Sequence, residues 1–180
     1  MNLNVIEVSD TVLFTREPIT TIDGDTVAYL KMRALADPVK SLRLCMHADT
    51  EDPVQEMLIV HVHEGYVRPH RHDHGASYHI VDGQLDIVMF DDGGQITDVV
   101  TMGEYSSGSI FYWRISGNRY YTVVSRSDAV VFHESLNGPF SPGESTNFAP
   151  WAPEPSNVNG VKSYMVNLSD RISRLVEDLK

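Results

Sequence analysis

The chain has 180 residues and a mass of 20.2 kDa, room for one sizeable domain and not comfortably for two. Fourteen Lys and Arg against 25 Asp and Glu leave a formal charge of −11 and a pI near 5.0, which argues against nucleic acid or an anionic membrane surface as a partner. A single cysteine, Cys45, excludes an internal disulfide framework and any multi-cysteine zinc or iron–sulfur site. No charged-then-apolar leader opens the chain and no apolar run approaches the ~18 residues of a membrane span, so the expectation is a cytoplasmic protein.

In chain order, the dominant pattern is short alternating or β-branched runs bounded by Gly, Asp, Asn and Pro, the mark of strands and turns. Residues 5–8 and 11–14 predict two short strands. Residues 26–36 are ambiguous and can run as a helix capped at Thr26 and stopped before Pro38. Residues 41–47 alternate: Leu42, Leu44 and Met46 share one face, while Arg43, Cys45 and His47 share the other. Residues 57–63 predict a strand with Ile59, His61 and His63 on one side. Residues 70–82 are strand-rich with an internal turn, and 84–90 follow after Asp82-Gly83. Asp91-Asp92-Gly93-Gly94 predicts a hairpin into 96–102. Further strands are expected within 109–115, 120–125 and 128–134. Residues 137–159 read as a long wrap anchored by Phe140, Phe148 and Trp151. Leu168, Ile172, Leu175, Val176 and Leu179 have the spacing of a terminal helix, with Ser169-Asp170 as its cap. Strands at this spacing imply an all-β sandwich or barrel.

Histidine is the unusual residue: there are eight, six of them between His61 and His79. In an extended strand His70 and His72 project to the same face. Two imidazoles so placed can hold one divalent ion, Zn, Fe, Ni or Mn, if neighbouring strands add ligands. Beside Pro69 and two arginines, the pair can equally meet an acidic substrate.

The stretch Pro69-His70-Arg71-His72 through Tyr78-His79-Ile80-Val81-Asp82-Gly83 resembles the first motif of the cupin superfamily and, more narrowly, the WbuC-like cupin-fold metalloproteins of bacterial polysaccharide gene clusters. Upstream, Arg43-Leu44-Cys45-Met46-His47 and Asp52-Pro53-Val54-Gln55-Glu56-Met57-Leu58-Ile59 are similar to that family's N-terminal signature. Downstream, Val131-Phe132-His133-Glu134, Gly138-Pro139-Phe140 and Phe148-Ala149-Pro150-Trp151-Ala152-Pro153 resemble that family's closing motifs. The resemblance implies a metal site of four ligands, two of which match His70 and His72. Where it implies a glutamate the chain has Ala76, and where it implies a third histidine the chain has Tyr121. His47, His63, His74 and His133 are the candidate replacements, whereas His79 has the wrong strand parity.

The candidate catalytic residues are therefore His70, His72 and Tyr121, with His70 and His72 as candidate metal ligands. Arg68 shares their parity and is a candidate contact for an anion or sugar phosphate. Tyr78, Arg43, His47, Trp113 and His133 complete the candidate substrate-binding set, and His133-Glu134 is a candidate acid/base pair. No nucleophile elbow, P-loop or dinucleotide fingerprint is present.

The expected fold is one all-β cupin (jelly-roll) barrel over about 39–136. N-terminal segments precede it, a Pro-rich wrap over 137–160 follows, and a short helix covers about 166–179. The expected function is a small-molecule enzyme, metal-dependent or not, acting on a carbohydrate or polysaccharide precursor. The alternative is a non-catalytic binding or sensing module that lost its metal. An iron oxygenase ranks last. A homodimer is expected from the apolar outer strands and long arms.

Overall fold

The computed structural model describes residues 4–141, 143 and 145–178. In chain order the elements are β1 (Val5–Ser9), β2 (Val12–Thr15), α1 (Gly24–Ala36), β3 (Ser41–Cys45), β4 (Val54–Val62) and β5 (His70–Arg71). There follow β6 (Ala76–Asp82), β7 (Gln84–Phe90), β8 (Ile96–Gly103), β9 (Tyr112–Ile115), β10 (Tyr120–Ser125), β11 (Ala129–Asn137), β12 (Asn147–Phe148) and α2 (Val158–Asp178). They form a seven-stranded sheet in the order β1-β2-β3-β4-β11-β6-β9 and a five-stranded sheet in the order β12-β5-β10-β7-β8. All strand pairs are antiparallel except β2 with β3. The two sheets face each other in the jelly-roll arrangement expected, without closing through hydrogen bonds.

Each sheet is covered on both sides, giving three apolar layers. Between the sheets lie Met57, Ile59, Tyr78, Ile80, Ile87, Tyr121, Val123 and Phe132 with their neighbours. Outside the larger sheet, Leu30 and Ala34 of α1 pack on Leu42, Leu44, Leu58 and Val60. Outside the smaller sheet, Leu168 and Ile172 of α2 pack with Ala149 and Ala152 on Val88, Phe90 and Tyr120. Double coverage explains why β7 is buried from Leu85 to Phe90 without an exposed face.

Both helices start earlier than expected. The cap of α1 is Asp23, not Thr26: its carboxylate accepts the Thr26 amide at 2.8 Å and the Thr26 hydroxyl at 2.6 Å. Asp37, extended before Pro38, ends that helix. In α2, Asn157 accepts the Gly160 amide at 3.0 Å, so the helix begins well before Ser169-Asp170. Leu168 and Ile172 are buried as expected and Leu175 is exposed. Leu179 and the side chain of Val176 lie outside the described residues.

The wrap fastens at both ends. The Gly138 amide donates to the Pro53 carbonyl at 2.9 Å and the Phe140 amide to the Thr50 carbonyl at 2.7 Å. β12 pairs with β5 at Phe148–His70, and the Trp151 ring packs on Phe90 and on Gly94, whose positive φ of 83° suits a glycine.

Candidate functional site

Between the sheets, toward the end where the wrap crosses, lies a cavity of about 780 Å³. Strand parity builds its walls. On β11, Val130, Phe132, Glu134 and Leu136 face inward, and β3 sends in Arg43 and Cys45. On β4 the inward positions are Met57, Ile59 and His61. The opposite wall carries His70 and His72, with Val67 and Arg68 just before them. Register then sets rows across the larger sheet. Cys45 opposes Met57, Met57 opposes Glu134, Glu134 opposes Tyr78, and Tyr78 opposes Trp113. Arg43 opposes Ile59 in the next row, and Ser41 opposes His61 in the one after.

The paired histidines are fixed from behind. His70 Nδ1 lies 2.9 Å from the Arg68 carbonyl, and His72 Nδ1 lies 2.9 Å from the Ser145 carbonyl. A carbonyl only accepts, so each Nδ1 carries a proton, and in the neutral ring each Nε2 is the nitrogen that keeps its lone pair. The rings stand 5.0 Å apart, edge to face. His70 is 8% exposed, and burial lowers its pKa to about 4, so it is neutral. His72 is half-buried and in reach of solvent.

Tyr121 sits beneath His70, with ring centroids 4.8 Å apart. It is 1% exposed and lies behind the cavity wall, and the Tyr78 hydroxyl donates to its oxygen at 3.2 Å. Burial raises its pKa far above the ordinary phenol value, so it is a neutral hydroxyl. Trp113 backs this pair, 5.3 Å from Tyr121 and 5.4 Å from Tyr78, and does not reach the cavity. His133 points the other way: odd positions of β11 face out, and its Nε2 meets Glu56 at 3.9 Å on the outer side. The residue that enters the cavity is its neighbour Glu134.

Glu134, expected from the sequence only as half of a His133-Glu134 acid/base pair, enters the cavity without its partner. It is 7% exposed, its pKa is raised by burial, and Arg43, His72 and Tyr78 partly offset that rise. The signal in the sequence is a lone glutamate on the inward face of a strand between Phe132 and Leu136. Arg68 also lines the cavity, but its guanidinium is spoken for: it meets Glu154 at 2.6 Å, the Ala149 carbonyl at 3.2 Å and the Phe148 ring at 5.1 Å. Arg43 has no ion pair among the described residues, which leaves it as the cation of the cavity free for an anion. His47 lines the rim with its Nδ1 taking the Glu56 amide at 3.0 Å. His74 is exposed at the rim, His63 is tied to the Ser125 carbonyl outside the cavity at 2.8 Å, and His79 faces out against Phe111.

The donor set does not fit a resident metal ion. Two Nε2 atoms are available, but the glutamate position is the buried Ala76, and the third-histidine position is the neutral, hydrogen-bonded Tyr121. Among the described residues, no three His, Cys, Asp or Glu side chains converge to hold an ion. The chemistry on offer is proton transfer: a neutral imidazole with a free lone pair on one wall, and across the cavity a carboxyl biased toward its protonated form.

Comparison with known proteins places the fold. Residues 22–102 match a domain of unknown function (DUF6016). Among curated proteins, none matches the chain. A protein of Shewanella oneidensis superposes with a TM-score of 0.53 at 10% identity, over 71% of this chain and 85% of that one. A cupin 2 conserved barrel domain protein from Rhodopseudomonas palustris gives 0.46 at 13% identity, over 68% and 73%. A cupin superfamily protein from Desulfitobacterium hafniense gives 0.43 at 11% identity, over 54% and 76%. At 10% identity the Shewanella likeness is one of fold alone, in keeping with the jelly-roll sandwich of the two sheets. No helix among the described residues is long and apolar enough to cross a membrane.

Proposed function

We propose that the chain is a small-molecule enzyme of the cupin fold that works by acid–base chemistry on a carbohydrate-related acid. The observation that carries this reading is the facing pair: His72 with its Nε2 free and its Nδ1 locked, opposite Glu134 held toward its protonated form. His72 Nε2 takes a proton from carbon beside a substrate carbonyl while the Glu134 carboxyl gives one to the carbonyl oxygen. Return of the proton from His72 to the neighbouring carbon of the enediol, while the Glu134 carboxylate takes back a hydroxyl proton, completes an isomerisation with no net proton change. His70 supports the ring of His72 from the side, and Arg43 holds the anionic group of the substrate. The exposed ring of Phe148 at the rim supplies an apolar face for a sugar ring. The order of motifs resembling those of the WbuC-like proteins supports a polysaccharide precursor as the substrate. Exposed Tyr105, Ile110 and Tyr112 beside the edge strand β9 support a homodimer, which sedimentation of the purified chain tests.

The test has two stages. Thermal-shift screening with sugar acids and sugar phosphates identifies a ligand, and NMR in D₂O then follows exchange of its carbon-bound hydrogens. The expected result is exchange that falls at least 100-fold in Glu134→Gln and His72→Gln, and binding that weakens at least 10-fold in Arg43→Gln. Saturable binding without exchange or turnover would make the chain the binding module of the second reading. The loss of both family ligand positions, at Ala76 and Tyr121, is the observation favouring it.

A further inference from the structure

The cavity has a second polar feature that the proton-transfer chemistry leaves unused. His61 is 1% exposed, and neither ring nitrogen has a hydrogen-bond partner among the described residues. It lines the same cavity as His70 and His72. A neutral imidazole carries one donor and one acceptor, and buried polar groups in folded chains are almost always satisfied. The ring is seated on purpose: a Cβ at Gly65 would come within 2.6 Å of His61 Cε1 and 2.8 Å of the Lys40 carbonyl, so only glycine lets the chain pass beneath it. Its cross-strand partners are the apolar Val130 on β11 and, on the other side, Ser41 on β3.

The rows of the larger sheet give the spacing. His61 lies two residues along β4 from Ile59, the partner of Arg43, and four from Met57, the partner of Glu134. At the rise of a strand this is roughly 7 Å and 13 Å. From this juxtaposition we infer that His61 and Ser41 form a hydroxyl subsite, and that the molecule held by Arg43 is a hydroxylated acid whose hydroxyl completes the hydrogen bonding of His61. A hydroxyl both donates and accepts, so it can satisfy either nitrogen and the serine together. A site built this way rejects the analogue that lacks the hydroxyl, since the imidazole then stays bare. The pKa of His61, lowered to about 4 by burial, keeps the ring neutral and suited to a neutral partner. The inference rests on the reading of the cavity as a small-molecule pocket.

The experiment compares the wild-type chain with His61→Leu, using D-glucuronate and a six-membered cyclic acid without hydroxyls, cyclohexanecarboxylate. Leucine fills the place of the ring and removes the two bare nitrogens, so the free protein is expected to gain about 2–4 °C in Tm. Calorimetry is expected to show glucuronate binding at least 10-fold tighter than cyclohexanecarboxylate in the wild type, with that preference gone in His61→Leu. A lower Tm in the variant marks His61 as an ordinary core residue and overturns the inference. So does a preference that survives the substitution. Binding of both acids alike, still abolished by Arg43→Gln, overturns the hydroxyl subsite and leaves the anion pocket standing. Failure of both acids to bind the wild type overturns the pocket reading together with this one.

Discussion

Histidines on the two walls of the cavity are held in opposite ways. On the smaller sheet, His70 and His72 each give Nδ1–H to a backbone carbonyl, at 2.9 Å in both cases, which fixes tautomer and ring plane and spends one nitrogen on the scaffold. On the larger sheet, His61 has no hydrogen-bond partner among the described residues and is seated against Gly65. The first arrangement suits a group that must present a lone pair in one direction while a proton moves. The second suits a group whose hydrogen bonds are completed by what arrives.

Acid offers the largest way to break this contrast, because it acts on both walls. His61 and His70 are held near pKa 4 in the folded chain against an ordinary value of 6.5. Between those values the unfolded chain binds the extra protons, so their contribution is complete above pH 6.5 and is lost as pH falls toward 4. Each costs on the order of 1 kcal/mol per pH unit in that window, and the two together about 4 kcal/mol between pH 6.5 and 4.5. The raised pKa of Glu134 acts in the opposite sense, favouring the fold at low pH and losing its contribution as pH rises through the folded value. Urea unfolding at pH 7 and pH 5 checks this, and His61→Leu is expected to remove about half the acid sensitivity. An unchanged pH slope in that variant would mean the ring is not held neutral.

A second break is selective for the smaller sheet's wall. The carbonyl that locks His72 belongs to Ser145, in the wrap, and the wrap is fastened at Gly138. A Cβ there would lie 1.9 Å from the Asp52 carbonyl, a backbone atom that cannot step aside. Gly138→Ala is expected to cost about 3 kcal/mol. It should also release the His72 ring, seen by NMR as averaging of its nitrogen shifts, while the shifts of His61 stay put. Movement of both sets would join the two walls into one unit.

Much of this was legible in the chain, and the parts that were not share a cause. Alternation in 41–47 separates Leu42 and Leu44 from Arg43 and Cys45, as the structure does, because one face packs on α1 and the other on the cavity. The pairing of His70 with Tyr121 follows from the motif order, and in the structure the two are cross-strand neighbours. Glu134 was named only jointly with His133, because period 2 sorts residues into two faces without saying which is inside; the register of β11 between β4 and β6 decides that. Arg68 reads as a free cation until the wrap brings Glu154 to it at 2.6 Å, a contact 86 positions away in sequence (154 − 68). The early start of α2 was hidden because its first turns hold Asn159 and Gly160, and only the Asn157 cap announces them.

The finest test concerns Tyr121, which connects the walls. Its ring lies 4.8 Å from that of His70, and its oxygen accepts from Tyr78, the cross-strand partner of Glu134. If Tyr121 belonged to the reacting groups, its hydroxyl would be needed at the cavity surface. It is 1% exposed instead and stands behind His70, so its ring matters more than its oxygen. Tyr121→Phe keeps the ring and removes one acceptor, and Tyr78 retains Glu134 as a partner, so the expected stability loss is about 1 kcal/mol or less. Without the competing acceptor, the Tyr78 hydroxyl should turn wholly toward Glu134 and strengthen its carboxylate form, lowering the pKa of that group. Hydrogen–deuterium exchange of the ligand should then shift the limb on which Glu134 loses its proton to lower pH, with its maximum rate within about threefold of wild type. A loss of 100-fold or more would instead assign Tyr121 a direct part in the chemistry and make the smaller sheet's wall the seat of both acid and base.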